Sequence, residues 1–326
     1  MNTPFITRAL SAVVAMRSNN EIGPTLGRVS LGQATKPIWT RRRFLAASAG
    51  FVGLAATASA AYAGAIEPFG LVVTPYALTP PNWPADRRLT ITVIADLHAG
   101  WPDMPLPHIR HVIDTANSLR SDLIVMLGDF KAWYAFKTVP VADADWAAEL
   151  ARLKAPLGTW AILGNHDWWH DLEGVRHALA DVSIPLLEND AVLLGRAGQR
   201  FWLAGLGDQI AYRLGYGRFR GVDDLSGTLA RIDTEDPVLL LAHEPDIFPK
   251  VPARVALTLS GHTHGGQIRV PLLWPHLVPS QYGARFAYGH VVEDGRHLIV
   301  SGGLGTSVIP ARFGVPPEIV HLTLGG

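Results

Sequence analysis

The sequence predicts an α/β fold in which two sheets pack against each other. Three observations carry that reading. Short β-branched apolar runs alternate with segments of helical spacing through the first half, and further strand-like runs crowd the second half. The residues best suited to hold metal ions follow these runs instead of interrupting them, and strand ends are where open α/β sheets place their sites. The 326 residues are 48% hydrophobic and show no internal repeat, which suits one domain of two packed sheets better than two small domains.

The elements follow in order. Residues 71–88 are rich in proline and read as an extended connecting arm. Residues 89–95, 123–127 and 159–163 read as strands, and 109–119, 145–153 and 172–180 as the intervening helices. This alternation suggests a buried sheet with right-handed crossovers. Strands are then expected at 201–204, 238–242 and 255–259, with antiparallel candidates at 268–270, 287–292, 297–301 and 319–324.

Composition narrows the chemistry. Lys and Arg number 28, as do Asp and Glu, so no broad basic face is expected and no nucleic-acid partner. The chain has no cysteine, which removes disulfides, thiolate metal sites and cysteine nucleophiles. Any metal must therefore sit on His, Asp, Asn or Glu.

Thr40-Arg41-Arg42-Arg43-Phe44-Leu45 matches a twin-arginine export signal. A charge-free stretch rich in Ala, Gly and Ser follows over 44–66, and Ala58-Ser59-Ala60 and Ala61-Tyr62-Ala63 both offer small-x-small cleavage patterns. Residues 40–66 thus read as a signal peptide or a retained anchor, with the twin-arginine export machinery as a partner. The destination is outside the cytoplasm, periplasmic or membrane-associated. Residues 1–39 lack apolar periodicity and read as a disordered extension, and 67–326 form the single domain, with core motifs in 89–270.

The candidate site residues are Asp96 and His98, Asp129, Asn165 to Asp167, His243, and His262 with His264. Each group follows an apolar run, and Gly128, Gly164 and Gly261 permit the tight turns needed to reach one point. A two-metal hydrolytic centre holds its ions ~3.5–4 Å apart and needs a bridging carboxylate, imidazoles, oxygen ligands and an open position for water. Alone, Asp-x-His is coincidence, Gly-Asp a turn, and a buried His a satisfied core residue. In order and at successive strand ends, they argue for one metal centre.

These blocks resemble the calcineurin-like metallophosphoesterase superfamily: Asp-x-His, Gly-Asp, Gly-Asn-His-Asp, a lone His, then Gly-His-x-His, all between Asp96 and His264. His243-Glu244-Pro245-Asp246 and Pro316-Pro317-Glu318-Ile319 resemble its bacterial YaeI/YkuE-type branch, which often begins with a twin-arginine signal. The resemblance implies a two-sheet β-sandwich flanked by helices, a four-layer αββα arrangement. It implies one ion on Asp96, His98, Asp129 and His264, and a second on Asp129, Asn165, His243 and His262, with Asp129 and a hydroxide bridging. His166 would act as general acid or contact a phosphoryl oxygen, with Asp167 orienting its ring. The two divalent ions would be Mn, Fe, Zn or Co. Two departures stand out. Ala132 replaces the tyrosine ligand of purple acid phosphatases, and Ser301-Gly302-Gly303 lacks the arginine common in the branch.

The expected function is hydrolysis of phosphoester bonds. The substrate would be a phosphodiester, phosphomonoester or pyrophosphate, either a small molecule or a nucleotide-linked lipid, with peripheral membrane association an option. A non-catalytic metal-binding scaffold and a nuclease are the alternatives.

Weaker features carry two readings each. Trp168, Trp169 and His170 are a wall beside the leaving group or a loop packed on the core. Arg312 binds phosphate or pairs with Glu318. Gly302 to Ser307 is a phosphate cradle or a turn, and His108 and His111 a metal pair or a solvated helix face. Arg213, Arg218 and Arg220 lie in a loop that is a basic lid or simply solvated.

Overall fold

The computed structural model describes residues 40–136, 138–196, 198–270 and 274–326, so the extension expected over 1–39 lies outside the described residues. The chain runs α1 (Arg41–Ala65), β1 (Val72–Leu78), β2 (Leu89–Ile94), β3 (Gly100–Trp101), α2 (Leu106–Ser118), β4 (Leu123–Met126), β5 (Val139–Pro140), α3 (Asp143–Leu150), β6 (Thr159–Ala161), α4 (Asn165–His170) and α5 (Leu172–Asp181). It continues through β7 (Asp190–Leu194), β8 (Phe201–Gly205), β9 (Tyr212–Gly215), β10 (Arg218–Arg220), α6 (Leu225–Ala230), β11 (Val238–Leu241), β12 (Val255–Ser260), β13 (Gly289–Glu293), β14 (Arg296–Val300) and β15 (Glu318–Leu324).

Two large sheets result. One has the order β1-β15-β2-β4-β6 and the other β13-β14-β12-β11-β8-β7. In the first sheet β2, β4 and β6 are parallel, as crossovers through helices require. Strand periodicity divides their side chains between two cores. Ile91, Val93, Leu123 and Val125 cluster with Leu239, Leu241, Leu257 and Leu259 between the sheets. Ile94, Ile124 and Met126 cluster instead with Ile109, Val112 and Ile113 of α2, Trp146 of α3 and Val175 of α5. The outer face of the second sheet, Val238 and Leu240 among others, is covered by Ile247, Phe248 and Phe286, with Leu225 and Leu229 of α6 packed against it. Strands buried on both faces explain why the sequence shows continuous apolar runs. The layers are helix, sheet, sheet, helix, as expected.

Two sequence expectations are corrected. The proline-rich arm contains β1, which pairs in parallel with the C-terminal β15 from Val72↔Glu318 to Leu78↔Leu324. Pro75 is tolerated because β1 is an edge strand, bonded on one side only. Residues 268–270 form no strand. Positive φ at Gly265, Gly266 and Gln267 turns the chain, leaving Ile268 a single bridge to Phe313. The sequence reading also lacked β7, α4, α6 and the β9–β10 hairpin.

α1 is 25 residues long, and only Ala63 in it is buried. It is long and apolar enough to cross a bilayer.

Candidate metal centre and cleft

Every candidate ligand sits just beyond the carboxyl end of a strand: Asp96 and His98 after β2, Asp129 after β4, Asn165 after β6, His243 after β11, His262 and His264 after β12. Asp96, His98, Asp129, His262 and His264 all adopt left-handed backbone, with φ of 51°, 44°, 58°, 68° and 50°. Such residues cost of order 1–3 kcal/mol each and persist where the surroundings over-determine them, as at functional sites. The turns also demand glycine. Gly128 has φ 90°, and a Cβ there would lie 2.3 Å from the Gly164 nitrogen. A Cβ on Gly261 would lie 2.7 Å from Asp96 Oδ2.

The structure brings all the predicted ligands together. Nε2 of His98 lies 3.1 Å from Nε2 of His264 and 3.4 Å from Asp129 Oδ2. His264 Nε2 is 3.8 Å from Asp96 Oδ1. His243 Nε2 is 3.3 Å from Asp129 Oδ2 and 3.2 Å from Asn165 Oδ1, and His262 Nδ1 is 2.8 Å from that same amide oxygen. Asp96, His98, Asp129 and His264 form one group able to hold an ion. All seven residues are buried.

The donor set fits cations. Each imidazole gives its other nitrogen to a backbone carbonyl: His98 Nδ1 to Lys131 O at 3.0 Å, His243 Nδ1 to Leu127 O at 2.6 Å, His264 Nδ1 to Gly305 O at 3.2 Å, and His262 Nε2 to Pro279 O at 2.9 Å. A carbonyl only accepts, so those nitrogens carry the protons. In the neutral rings the inward nitrogens then present lone pairs to one another, to two carboxylates and to an amide oxygen. Only positive charge between them relieves that opposition, and tying the outer nitrogen to a carbonyl is how proteins orient metal-binding imidazoles. The proton affinities show the same field. Burial alone would lower the His243 pKa, yet Asp129, Glu244 and Asp96 hold it well above the ordinary value. Burial would raise Asp129, but the surrounding imidazoles, His243 foremost, hold it well below. His264 is depressed by burial, with His98 and Arg312 adding to the effect.

Asp167 does not orient His166, contrary to expectation. Its Oδ2 accepts from the Gly164 and Asp129 nitrogens, both at 2.9 Å, and its Oδ1 from the Phe130 nitrogen at 2.8 Å. Asp167 therefore ties the loop after β6 to the loop after β4, while burial, with Asp129 beside it, pushes its carboxyl up to about 7. His166 is held otherwise. Its backbone N–H donates to Asp129 Oδ1 at 2.7 Å, its Nε2 lies 3.2 Å from Ser307 Oγ, and its Nδ1 has no partner among the described residues.

The weaker features resolve clearly. Arg312 is fully buried, and among the described residues it does not pair with Glu318. Its guanidinium donates to the carbonyls of Gly305, Gly302 and Val315, bracing the carbonyl that holds His264. Glu318 instead accepts from the Gly302 nitrogen and the Tyr288 hydroxyl. The 302–307 loop commits most of its backbone N–H groups to the fold, as a turn does. Leu304 and Gly305 donate to Ala95 O and Asp96 O, packing it on the loop that carries Asp96 and His98. His108 is buried, bonded to Asp103 O and tilted against the Phe69 ring at 5.3 Å, so it is not a solvated face. The two tryptophans divide the readings. Trp168 packs on the core, whereas Trp169 lines the cleft. Phe219 stacks on Trp169 and the Arg213 guanidinium lies 3.5 Å over its ring, so the β9–β10 hairpin braces this wall. Sequence reasoning missed the four orienting carbonyls, and placed Ser307 only in a loop read as a phosphate cradle or a turn. Backbone acceptors leave no signal in residue type.

A cleft of 390 Å³ opens over Asp129, Asn165, His166, His262 and His264. Its far wall is apolar, with Ile268, Leu277, Pro279, Val308 and Ile309.

A two-sheet sandwich with a histidine- and carboxylate-lined centre at its strand ends defines a metal-dependent hydrolase. Residues 89–266 match the calcineurin-like phosphoesterase family, and the chain belongs to it: it is a metallophosphoesterase. The uncharacterized metallophosphoesterase YkuE of Bacillus subtilis (strain 168) is 31% identical over 297 residues, 87% of this chain and 97% of that protein. An uncharacterized metallophosphoesterase of Aquifex aeolicus (strain VF5) is 30% identical over 266 residues, 80% and 94% of the two chains. A protein of Danio rerio described as a transmembrane protein with metallophosphoesterase domain is 29% identical over 244 residues, 72% of this chain and 53% of that one.

Proposed function

We propose that the protein hydrolyses phosphodiester or pyrophosphate bonds at a dinuclear centre, outside the cytoplasm. Asp96, His98, Asp129 and His264 would hold one divalent ion and Asp129, Asn165, His243 and His262 the other, Asp129 being shared. The observation that carries this reading is the convergence of Asp129 Oδ2 on His98 at 3.4 Å and His243 at 3.3 Å, one carboxylate oxygen serving both sets. Ions so held supply a water of lowered pKa and offset charge on the phosphoryl oxygens.

The chain's own groups do the rest. The His166 backbone N–H fixes the orientation of the shared carboxylate through Asp129 Oδ1. His166 Nε2, at the cleft, gives a proton to the leaving oxygen or a hydrogen bond to a phosphoryl oxygen. The Ser307 hydroxyl, 3.2 Å away, marks where such an oxygen would lie. Asp167 acts indirectly, keeping the loops of Asp129 and Asn165 in register through its three N–H contacts. The twin-arginine pattern at Arg41–Arg42 supports export by that machinery, and the apolar cleft wall admits a small phosphoester or a nucleotide-linked lipid.

The test is turnover of bis-p-nitrophenyl phosphate with Mn²⁺, and its loss in Asp129→Ala. Undiminished turnover in that variant would remove the shared-carboxylate role. Stoichiometric metal with no turnover on any phosphoester would favour a binding scaffold instead.

A further inference from the structure

We infer that α1 stays in the mature protein as a membrane anchor and that the cleft opens against the surface of the bilayer, where it takes phosphoesters borne by amphiphiles lodged there. The substrate half of this inference rests on the phosphoesterase reading, and the placement of the cleft does not.

The end of α1 is built into the folded domain. The Ala63 carbonyl accepts from the Arg312 nitrogen at 2.9 Å, and Tyr62 meets the Phe313 ring edge-on at 6.4 Å. Just beyond the helix, Glu67 is buried and its Oε1 accepts from the Val315 nitrogen at 2.7 Å. Cleavage after Ala63 would take away an acceptor that the fold uses at the very loop bracing His264. The Ala-Ser-Ala and Ala-Tyr-Ala patterns are also helical here, inside Arg41–Ala65. A segment that must be extended to be cut is instead the last turns of a helix that docks.

The anchor leaves no slack. The charge-free stretch ends at Ile66, and Glu67 is already buried in the domain. A bilayer's interfacial layer is about 5–7 Å thick on each side of its hydrocarbon core. A span ending at Ile66 therefore holds the domain surface around Ala63 and Glu67 against the headgroups. Ile309 lies three positions before Arg312, and three steps of chain reach at most about 11 Å. Ile309 and Val308 are exposed and line the cleft beside Ser307, and Ile309 lies within that reach of Arg312, which the helix end contacts through Ala63. Tyr62, Ile66 and Phe69 are exposed at the same exit, with the mix of aromatic and aliphatic side chains that suits an interface. The three arginines at 41–43 precede the span, and the positive-inside bias places them on the cytoplasmic side, with the domain opposite.

The occupant is the bilayer because the apolar rim is continuous with an apolar span. Leu277, Val308 and Ile309 give the cleft mouth an uncharged side, while His166 and the ligands occupy its floor. An amphiphile whose phosphoester sits at headgroup depth meets both.

The absence of cysteine makes the test direct. The full chain is purified with a single Ile309→Cys, Leu277→Cys or Glu235→Cys substitution, labelled with bimane and reconstituted into phosphatidylethanolamine–phosphatidylglycerol vesicles with brominated acyl chains. Glu235 precedes β11, at the opposite end of the strand from His243, and is exposed. Quenching at 309 and 277 is expected to exceed that at 235 on the order of threefold, since interfacial apolar groups bury ~5–10 Å into the headgroup–acyl boundary. The intact mass of the membrane-fraction protein should include residues 58–66. Equal quenching at the three positions, or a soluble mature form beginning after Ala60 or Ala63, would overturn the inference. Neither readout uses turnover, so inactivity on bis-p-nitrophenyl phosphate would count against the phosphoesterase reading alone.

Discussion

The two sheets contribute different chemistry to one centre. Loops of the first sheet bring both carboxylates, Asp96 and Asp129, the Asn165 amide and one imidazole. Loops of the second bring three imidazoles, His243, His262 and His264, and no anionic ligand of the proposed set. Negative charge that can offset two cations therefore comes from one side, while the other side supplies neutral nitrogen. The halves are stitched across the sandwich: His243 Nδ1 donates to Leu127 O of the first sheet, and the His262 nitrogen donates to Asp96 Oδ1 at 2.9 Å. Charge and geometry are thus separable by mutation.

The largest effect is expected on the charged side. Asp129→Asn keeps an acceptor for the His166 N–H but removes the shared charge. It should lower kcat/KM on bis-p-nitrophenyl phosphate by about 10³-fold or more, which is ~4 kcal/mol, together with bound metal. His243→Ala, on the neutral side, should cost on the order of 10²-fold, partly restored by raising the Mn²⁺ concentration. Metal titration of both variants decides the matter. A larger loss of affinity in His243→Ala than in Asp129→Asn would break the division of labour.

His166 belongs to the first sheet's loops but to neither ion. His166→Gln should reduce kcat by about 10²-fold with metal content unchanged. Loss of metal in that variant would mean that the His166 imidazole itself helps hold the ions, since the backbone N–H contact to Asp129 survives the substitution. Asp167→Asn tests the indirect role. It should lower Tm and metal content together, since the loops of Asp129 and Asn165 lose a common acceptor.

How much of this could be read in the chain differs by region. The strands ending at Asp96, Asp129, Asn165, His243 and His262 were legible because each is a short run of apolar and β-branched residues followed by glycine or a metal-binding residue type. The edge strand β1 was not, because Pro75 and a half-exposed face disguise it and its partner β15 lies more than two hundred residues away. Side-chain direction was also hidden. Asp167 and Arg312 have the residue types of catalysis, but their partners are backbone N–H and carbonyl groups, which have no residue signature. The left-handed φ values of the ligands are equally silent in sequence, since Asp and His carry no requirement for them.

The smallest effect concerns what braces the charged side from outside. Lys131 Nζ bonds Asp143 Oδ2 at 2.8 Å at the start of α3 and Asp171 Oδ2 at 2.6 Å at the start of α5, while its backbone carbonyl orients His98. The Lys131 hydrogen bond holds the Asp171 carboxyl below its ordinary value, with Gly174 N–H adding to the effect against slight burial. A depressed carboxylate stabilises the fold above its unfolded pKa of about 3.9, and that stability drains as pH falls through the lower folded value. Asn caps a helix about as well as Asp, so Asp171→Asn isolates the charge. Asp171 is well exposed, so the pair is worth no more than ~0.5 kcal/mol, or about 1–2 °C in Tm at pH 7. The difference between wild type and variant should vanish below about pH 3. It should leave metal content untouched, because the carbonyl facing His98 is fixed by its bridge between residues 131 and 99 and not by the lysine's charge. A fall in bound metal in Asp171→Asn at pH 7 would instead extend the charged half of the centre out to the protein surface.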